Sequence, residues 1–467
     1  MKQLHPKMTL AALMLMLFSS MAAKDFEYTY EGQTLTYTVI SETDRTVRTK
    51  EGTMSSSGNV VSGTLIIPAF VEDGTTTYSV VEIGLRAFYR CYDLEDVTIP
   101  NSVISIDSSA FASCISLTNL KIPNSVTKLG VHAFYDCESL TELTIPESVN
   151  SIGGFAFEKC IGLKEITIPE KVTNIEYSTF SGCSNLTKVS LPNSITSIGY
   201  SAFANCISLV DLTIPDSVTS IEASSFIGCS SLEDVTIPNS VTSIGESAFE
   251  SCVNLKHIAV PNSVVSLGKR AFYNCSKLET LELPNSISSI GEWTFAFCRE
   301  LKVVNIPDNV ISLADYAFFY CGSLEKIAIS NSVISIGLSV FRYCDSLEEL
   351  IIPESVKSID SYAFDCYNLK KITVNAITPP SVSDMAFSPD AYENAELIVP
   401  AESKEAYEED PVWQNFKNLT SGVTAITVNN ADEIARYSLD GKPVDQDYRG
   451  AVIIVYSNNK TKKIINK

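Results

Sequence analysis

The chain has 467 residues, 45% hydrophobic and 19% charged, which is a folding composition and not that of a disordered polymer. Acidic residues outnumber basic ones 55 to 34, a formal charge of −21. That field repels nucleic acid and anionic lipid, and the only basic group of note is Lys460, Lys462 and Lys463, so these totals argue against a nucleic-acid partner.

Residues 1–23 have the build of a secretory signal peptide. Lys2 and Lys7 precede an apolar run from Met8 to Phe18, and small residues follow, with cleavage expected after Ala22 or Ala23. The run is too short to span a bilayer, nothing later is long enough, and no cysteine follows to carry a lipid. The expectation is a soluble protein that is secreted or held at the cell surface. Residues 24–80 then break any period: DFEYTYEGQTLTYTVI alternates as strands do, and SSSGNVVSG reads as a turn. Ile67-Pro68 matches the later Ile99-Pro100 but with about nine extra residues before Val80. This segment is read as an N-terminal β cap with an atypical first rung, which solenoids need.

Residues 81–374 are periodic. Cysteines fall at Cys91, Cys114, Cys137, Cys160 and onward to Cys344 in steps of 23, and Cys366 comes one residue early. Phenylalanine keeps the step without a slip from Phe88 to Phe364, so a single deletion between Phe364 and Cys366 accounts for the shift. One copy reads Leu94-x-x-Val97-x-Ile99-Pro100-x-x-Val103-x-x-Ile106-x-x-x-Ala110-Phe111-x-x-Cys114. A fixed period in the twenties marks a solenoid. Val97 and Ile99 flank an outward Thr98, as in a short strand, and Pro100, lacking an N–H, ends it. Val103 to Ile106 fits a second extended piece. Ala110, Phe111 and Cys114, three or four apart, fit a helical turn. A lone copy would leave its apolar flanks wet, so copies must stack, and Phe111, Phe134, Phe157 and Cys114, Cys137, Cys160 become internal ladders. A stacked thiol behaves as a small hydrophobe, and thirteen cannot all pair, so core thiols are expected in place of metal or redox sites.

Catalytic patterns do not emerge. His132 and His257 occupy different phases of the repeat and lack metal-site spacing, so they read as two surface histidines. Carboxylate pairs such as Glu233-Asp234 and Glu348-Glu349 sit where other copies place Lys164-Glu165 or Lys370-Lys371, which is a solvated edge and not an acid–base pair. No metal or cofactor is implied. Two outward ladders stand out. On the strand, Thr98, Thr144, Thr167, Thr213 and Thr236 read either as β-propensity or as a recognition surface. Around the phenylalanine, serine at Ser178, Ser201, Ser224 and Ser247 gives way to Arg270, Trp293, Tyr316 and Tyr362, accompanied by Tyr273, Phe297, Phe319, Tyr320 and Tyr343. These rings either form a contact surface or fill grooves between rungs.

Residues 375–420 lose the pattern and are expected to cap the other end, with Ser403 to Phe416 partly helical. Residues 421–467 read as a β-rich tail with a hairpin turn at Leu439-Asp440-Gly441.

The unit IPNSVTSIGESAFESCVNL, Ile237 to Leu255, resembles the leucine-rich repeat of BspA-type bacterial surface proteins, and the resemblance covers roughly residues 64 to 374. The end segments TYSVVEIGLRAF and ITPPSV…LIVPAESKEAY are similar to that family too, and the tail from Thr424 resembles short C-terminal domains for export or surface retention. The resemblance implies a curved, right-handed leucine-rich solenoid at a bacterial surface that binds host proteins or other cells. It brings no catalytic residues. The expected function is therefore an exported, adhesin-like, non-catalytic binding protein whose partner is a protein of the host matrix or of another cell. A glycan-binding surface on the aromatic residues, or a passive spacer, are the alternatives.

Overall fold

The computed structural model describes residues 24–50 and 61–422, and the backbone of three strands beyond them. The expected signal peptide at 1–23, most of the SSSGNVVSG turn and the Leu439-Asp440-Gly441 turn lie outside the described residues. The chain divides into two units, Met1–Thr420 and Ser421–Lys467.

The first unit is a parallel-strand solenoid of about 15 turns with little helix. Its first ladder is built from strands such as Leu94–Thr98, Asn119–Lys121, Glu165–Thr167 and Lys188–Ser190, paired so that Val97 faces Leu120 and Ile166 faces Val189. The second ladder, from Ser105–Ile106, Lys128–Leu129 and Ser151–Ile152, keeps the same register. Because both ladders advance by one repeat per rung, every side chain lies over its counterpart. In nearly every rung a proline after the strand ends the pairing and its carbonyl closes the next turn, as where Pro100 accepts from the Val103 N–H at 3.1 Å; Ser330 takes the same place in one rung. In many rungs the serine three residues before the second-ladder strand ties rungs together: Ser125 Oγ donates to Val103 O at 2.5 Å and Ser217 Oγ to Ile195 O at 2.6 Å.

Inside, Phe111, Phe134 and Phe157 are buried and stack at 5.6 and 5.5 Å with nearly parallel planes, within a column that runs from Phe88 to Phe387. All thirteen cysteines are buried and free. Their role is more specific than filling space. The Cys114 thiol donates to Phe88 O at 3.1 Å and Cys137 to Phe111 O at 3.2 Å, and the pattern repeats to Cys366 and Phe341 O. A buried S–H thus finds an acceptor in the preceding rung, which an alanine would leave unused. Burial raises the thiol pKa values, to about 12 for Cys160, Cys229 and Cys298.

The segment around the phenylalanine is not the helical turn its apolar spacing predicts. Ser109, Phe111 and Ser113 donate their N–H groups across to Val131, Ala133 and Tyr135 of the next rung. Ala110, Ala112 and Cys114 donate locally, three residues back. Alternate N–H groups therefore point along the solenoid axis, and the chain achieves this by entering the left-handed region twice per rung, at Ser109 (φ 55°) and Ser113 (φ 59°). The corner is a third ladder.

At the start, strands Asp25–Tyr30, Gln33–Ser41 and Thr46–Thr49 form an antiparallel set whose last member runs parallel to Thr77–Ile83 and so enters the second ladder. Gly63–Ile66 joins the first ladder with Leu65 opposite Val97, and the extra residues after Pro68 form a hairpin, Phe70–Glu72 against Thr77–Ile83. Within 375–420 one further rung is built before the array closes. Glu396–Pro400 pairs with Lys371–Val374, placing Leu397 opposite Ile372, and Phe387 lies 5.7 Å from Phe364. Short helical pieces at Lys404–Glu409 and Trp413–Asn415 then seal the column: Trp413 lies 5.6 Å from Phe387 with Nε1 donating to Pro380 O at 3.0 Å, and the Tyr407 hydroxyl donates to Ala376 O at 2.7 Å. The second unit holds three antiparallel strands, Glu433–Ser438, Gly450–Tyr456 and Thr461–Asn466.

Candidate functional site

The two left-handed positions of each corner flank the buried phenylalanine at two residues before and two after. A side chain there costs roughly 1–2 kcal/mol unless it is glycine, with asparagine and aspartate the better-tolerated exceptions. Several mid-array rungs carry small residues there, Ser178 with Gly182, Ser201 with Asn205 and Ser224 with Gly228, whereas Arg86, Arg90, His132, Phe155 and Lys159 stand there near the start. The later rungs hold the most rings. Arg270, Trp293, Phe297, Tyr316, Tyr320, Tyr343 and Tyr362 all occupy these positions, at φ between 58° and 64°. Backbone chemistry gives no reason for a bulky ring there, so the reason lies in what the ring touches.

The rings touch one another. Trp293 stacks on Tyr316 with centroids 4.0 Å apart and planes 8° from parallel. On the other side Phe297 stacks on Tyr320 at 5.5 Å, and Tyr320 meets Tyr343 edge-on at 5.6 Å. Phe319 lies between the two files, 5.6 Å from Trp293, 5.4 Å from Phe297 and 5.5 Å from Tyr343. Tyr273 joins at 5.3 Å from Phe297, and Tyr367 at 6.2 Å from Tyr343. An arginine pins each end. Arg270 makes a two-point contact with Glu250, at 2.9 and 2.7 Å, and sits 3.8 Å over the Tyr273 ring. Arg342 lies 4.7 Å over Tyr343 and 4.3 Å over Tyr362 and pairs with Asp365 at 3.0 Å. The Tyr362 hydroxyl donates to the Met385 sulfur at 3.0 Å. The cluster is half-buried, with Tyr320 40% and Tyr367 50% exposed at its crest. The rings pack against one another between rungs, and together they form a continuous ridge.

Sequence reasoning found Trp293, Tyr316, Tyr320, Tyr343, Tyr362, Tyr273 and Arg270, and the structure brings them together. It missed the central place of Phe319, the pairing of Arg342 with Asp365, and the smaller group where His132 stacks on Phe155 at 4.5 Å with Tyr177 against Phe155 at 4.9 Å. His132 is thus half-buried and not a plain surface histidine, and burial lowers its pKa. His257 is exposed, its Nδ1 2.9 Å from Thr280 Oγ1. The strand threonines Thr98, Thr144, Thr167, Thr213 and Thr236 are exposed. Beside the strands, charge alternates between rungs in ion pairs such as Lys256 with Glu233 at 2.7 Å and Lys370 with Glu348 at 2.7 Å, exposed contacts that solvent and salt screen. Among the described residues no group of three or more His, Cys, Asp or Glu is placed to hold a metal ion, and no helix is long and apolar enough to cross a membrane.

Short parallel strands in register, a proline-closed turn and an inward leucine in each rung define a leucine-rich repeat solenoid. Residues 81–210, 155–279 and 265–393 match the BspA type leucine-rich repeat region, and the chain belongs to that family. It is similar to a leucine-rich repeat protein from Bacteroides ovatus, with 28% identity over 85% of this chain and 100% of that one and a TM-score of 0.70. It also resembles a leucine rich cell surface protein from Faecalibacterium prausnitzii, with 29% identity over 85% of this chain and 99% of that one and a TM-score of 0.48. No curated protein matches the sequence. Membership of this repeat family fits a binding or structural role resting on the repeats.

Proposed function

We propose that the protein is exported and acts without catalysis, as an adhesin-like surface protein that binds a protein of the host matrix or of another cell through the ridge around Phe319. One observation carries this reading: from Trp293 to Tyr362 the rungs place bulky rings at left-handed positions, where they meet one another from rung to rung in a continuous ridge. Tyrosine, tryptophan and arginine are also the residue types in which binding energy concentrates, and the pinned arginines hold these rings in place before any partner arrives. The geometry weighs against a sugar platform on Trp293, because Tyr316 already covers one face of the indole at 4.0 Å. The test is surface plasmon resonance against matrix proteins and a glycan array, with wild type and a Trp293→Ala/Tyr316→Ala variant. Protein binding lost in the variant supports the reading. Binding that survives the change removes the ridge as the site, and binding to nothing favours a spacer.

A further inference from the structure

The exposed parts of the ridge limit what it can hold. With nine rings of about 200 Å² each, partly buried except at the more exposed Tyr320 and Tyr367, the free aromatic surface is on the order of 500 Å². A stable contact between two folded proteins buries about 800 Å² on each side, so this patch alone is too small for a rigid globular partner or a second copy. It is long, however. From Tyr273 to Tyr367 it runs along the solenoid axis for about 20 Å at roughly 4.8 Å per rung.

Its polar groups include free hydrogen-bond donors. Trp293 Nε1 and the hydroxyls of Tyr316 and Tyr343 make no hydrogen bond to the protein among the described residues, yet none is a buried unpartnered atom, so all three open to solvent. The ridge offers rings, an indole donor and hydroxyls that both donate and accept. An occupant with flat apolar groups and spare acceptors is complementary to it. A polyproline-type strand has both: its rings are apolar, its carbonyls make no internal hydrogen bonds, and at about 3.1 Å per residue some six residues cover the ridge.

Resting on the reading that the ridge is the binding surface, we infer that its occupant is an extended, proline-rich protein segment laid along the solenoid axis, with apolar rings seated around Phe319 and carbonyls accepting from the tryptophan and tyrosine donors. The test is fluorescence anisotropy with a labelled peptide of Pro-Pro-Gln repeats, about twelve residues long, and a Gly-Gly-Gln peptide of equal length as control. Phe319→Ala and Tyr320→Asn are the variants, since Ala112, Ala204 and Ala296 stand at the first phase and Asn205 and Asn274 at the second, so the array already accommodates both residues. Saturable binding of the proline peptide alone, weakened at least tenfold by each variant at unchanged circular dichroism, is the expected result. Equal binding of both peptides, or binding that neither variant changes, overturns the inference. If the proline peptide does not bind but a folded matrix protein or a glycan does in a ridge-dependent way, the inference fails while the ridge stands as a binding site. If nothing binds, both fail.

Discussion

Truncating one phenylalanine in mid-column, Phe226→Ala, should be far more damaging than its distance from any surface suggests. Phe226 is fully buried, with ring neighbours Phe203 at 5.5 Å and Phe249 at 5.3 Å. Removing a buried phenylalanine costs about 3–5 kcal/mol, including about 0.5–1.5 kcal/mol for each ring pair lost. The loss is shared, because the neighbouring rungs have the cavity in their own walls. Phe88→Ala, at the column's end with Phe111 as its one phenylalanine neighbour at 5.2 Å, loses one pair and should cost about 1 kcal/mol less. Urea unfolding gives the two free energies, and amide hydrogen exchange shows where protection falls, with the largest loss expected in the rungs of Phe203, Phe226 and Phe249. A cost under about 1 kcal/mol for Phe226→Ala, or exchange confined to its own rung, would refute the idea that rungs are stable only through their neighbours.

Other consequences are as specific. Trp293→Ser with Tyr320→Asn replaces ridge residues by those other rungs use; relief of left-handed strain at the asparagine, about 1 kcal/mol, should offset part of the lost stacking, leaving thermal stability within about 2 kcal/mol of wild type. A drop beyond about 4 kcal/mol in the melting analysis would make the ridge a structural element and not a binding one. Stability should also fall in alkali. Burial raises the Cys160, Cys229 and Cys298 thiols to about 12 from an ordinary 9.0, so the stabilisation is complete below pH 9.0 and disappears as pH rises toward 12. Each of the three withdraws about 1.4 kcal/mol per pH unit in that window, and urea midpoints measured between pH 8 and pH 10 should decline accordingly. A flat profile across that range would place these thiols in water.

The solenoid was legible because its physics is periodic. The stacking of Phe111, Phe134 and Phe157 follows from a step of 23 that never varies across them. What failed was an inference from spacing alone. Ala110, Phe111 and Cys114 sit three and four apart as on a helix, but Ser, Asn and Gly recur at the flanking phases because the backbone there is left-handed. That signal stood in the sequence at Asn205, Gly182 and Gly228. The further rung after Val374 was hidden because Ile372 and its partner Leu397 are 25 residues apart, the helix Pro389–Asn394 having entered the loop. The ridge residues were visible as a list, but their mutual contacts were not. Pairing across rungs brings Arg270 to Glu250 and Arg342 to Asp365, and such pairs depend on side-chain direction, which the period does not encode.

Alkylation of the cysteines, counted by mass spectrometry without any reductant, tests most directly whether stacked rungs keep one another dry. Folded protein should resist a small maleimide, with Cys91, 8% exposed at the ladder's start, the first to react. In denaturant all thirteen should label at once. Mid-array thiols such as Cys206 and Cys252 reacting in the native state, or a denatured count well short of thirteen, would contradict the account.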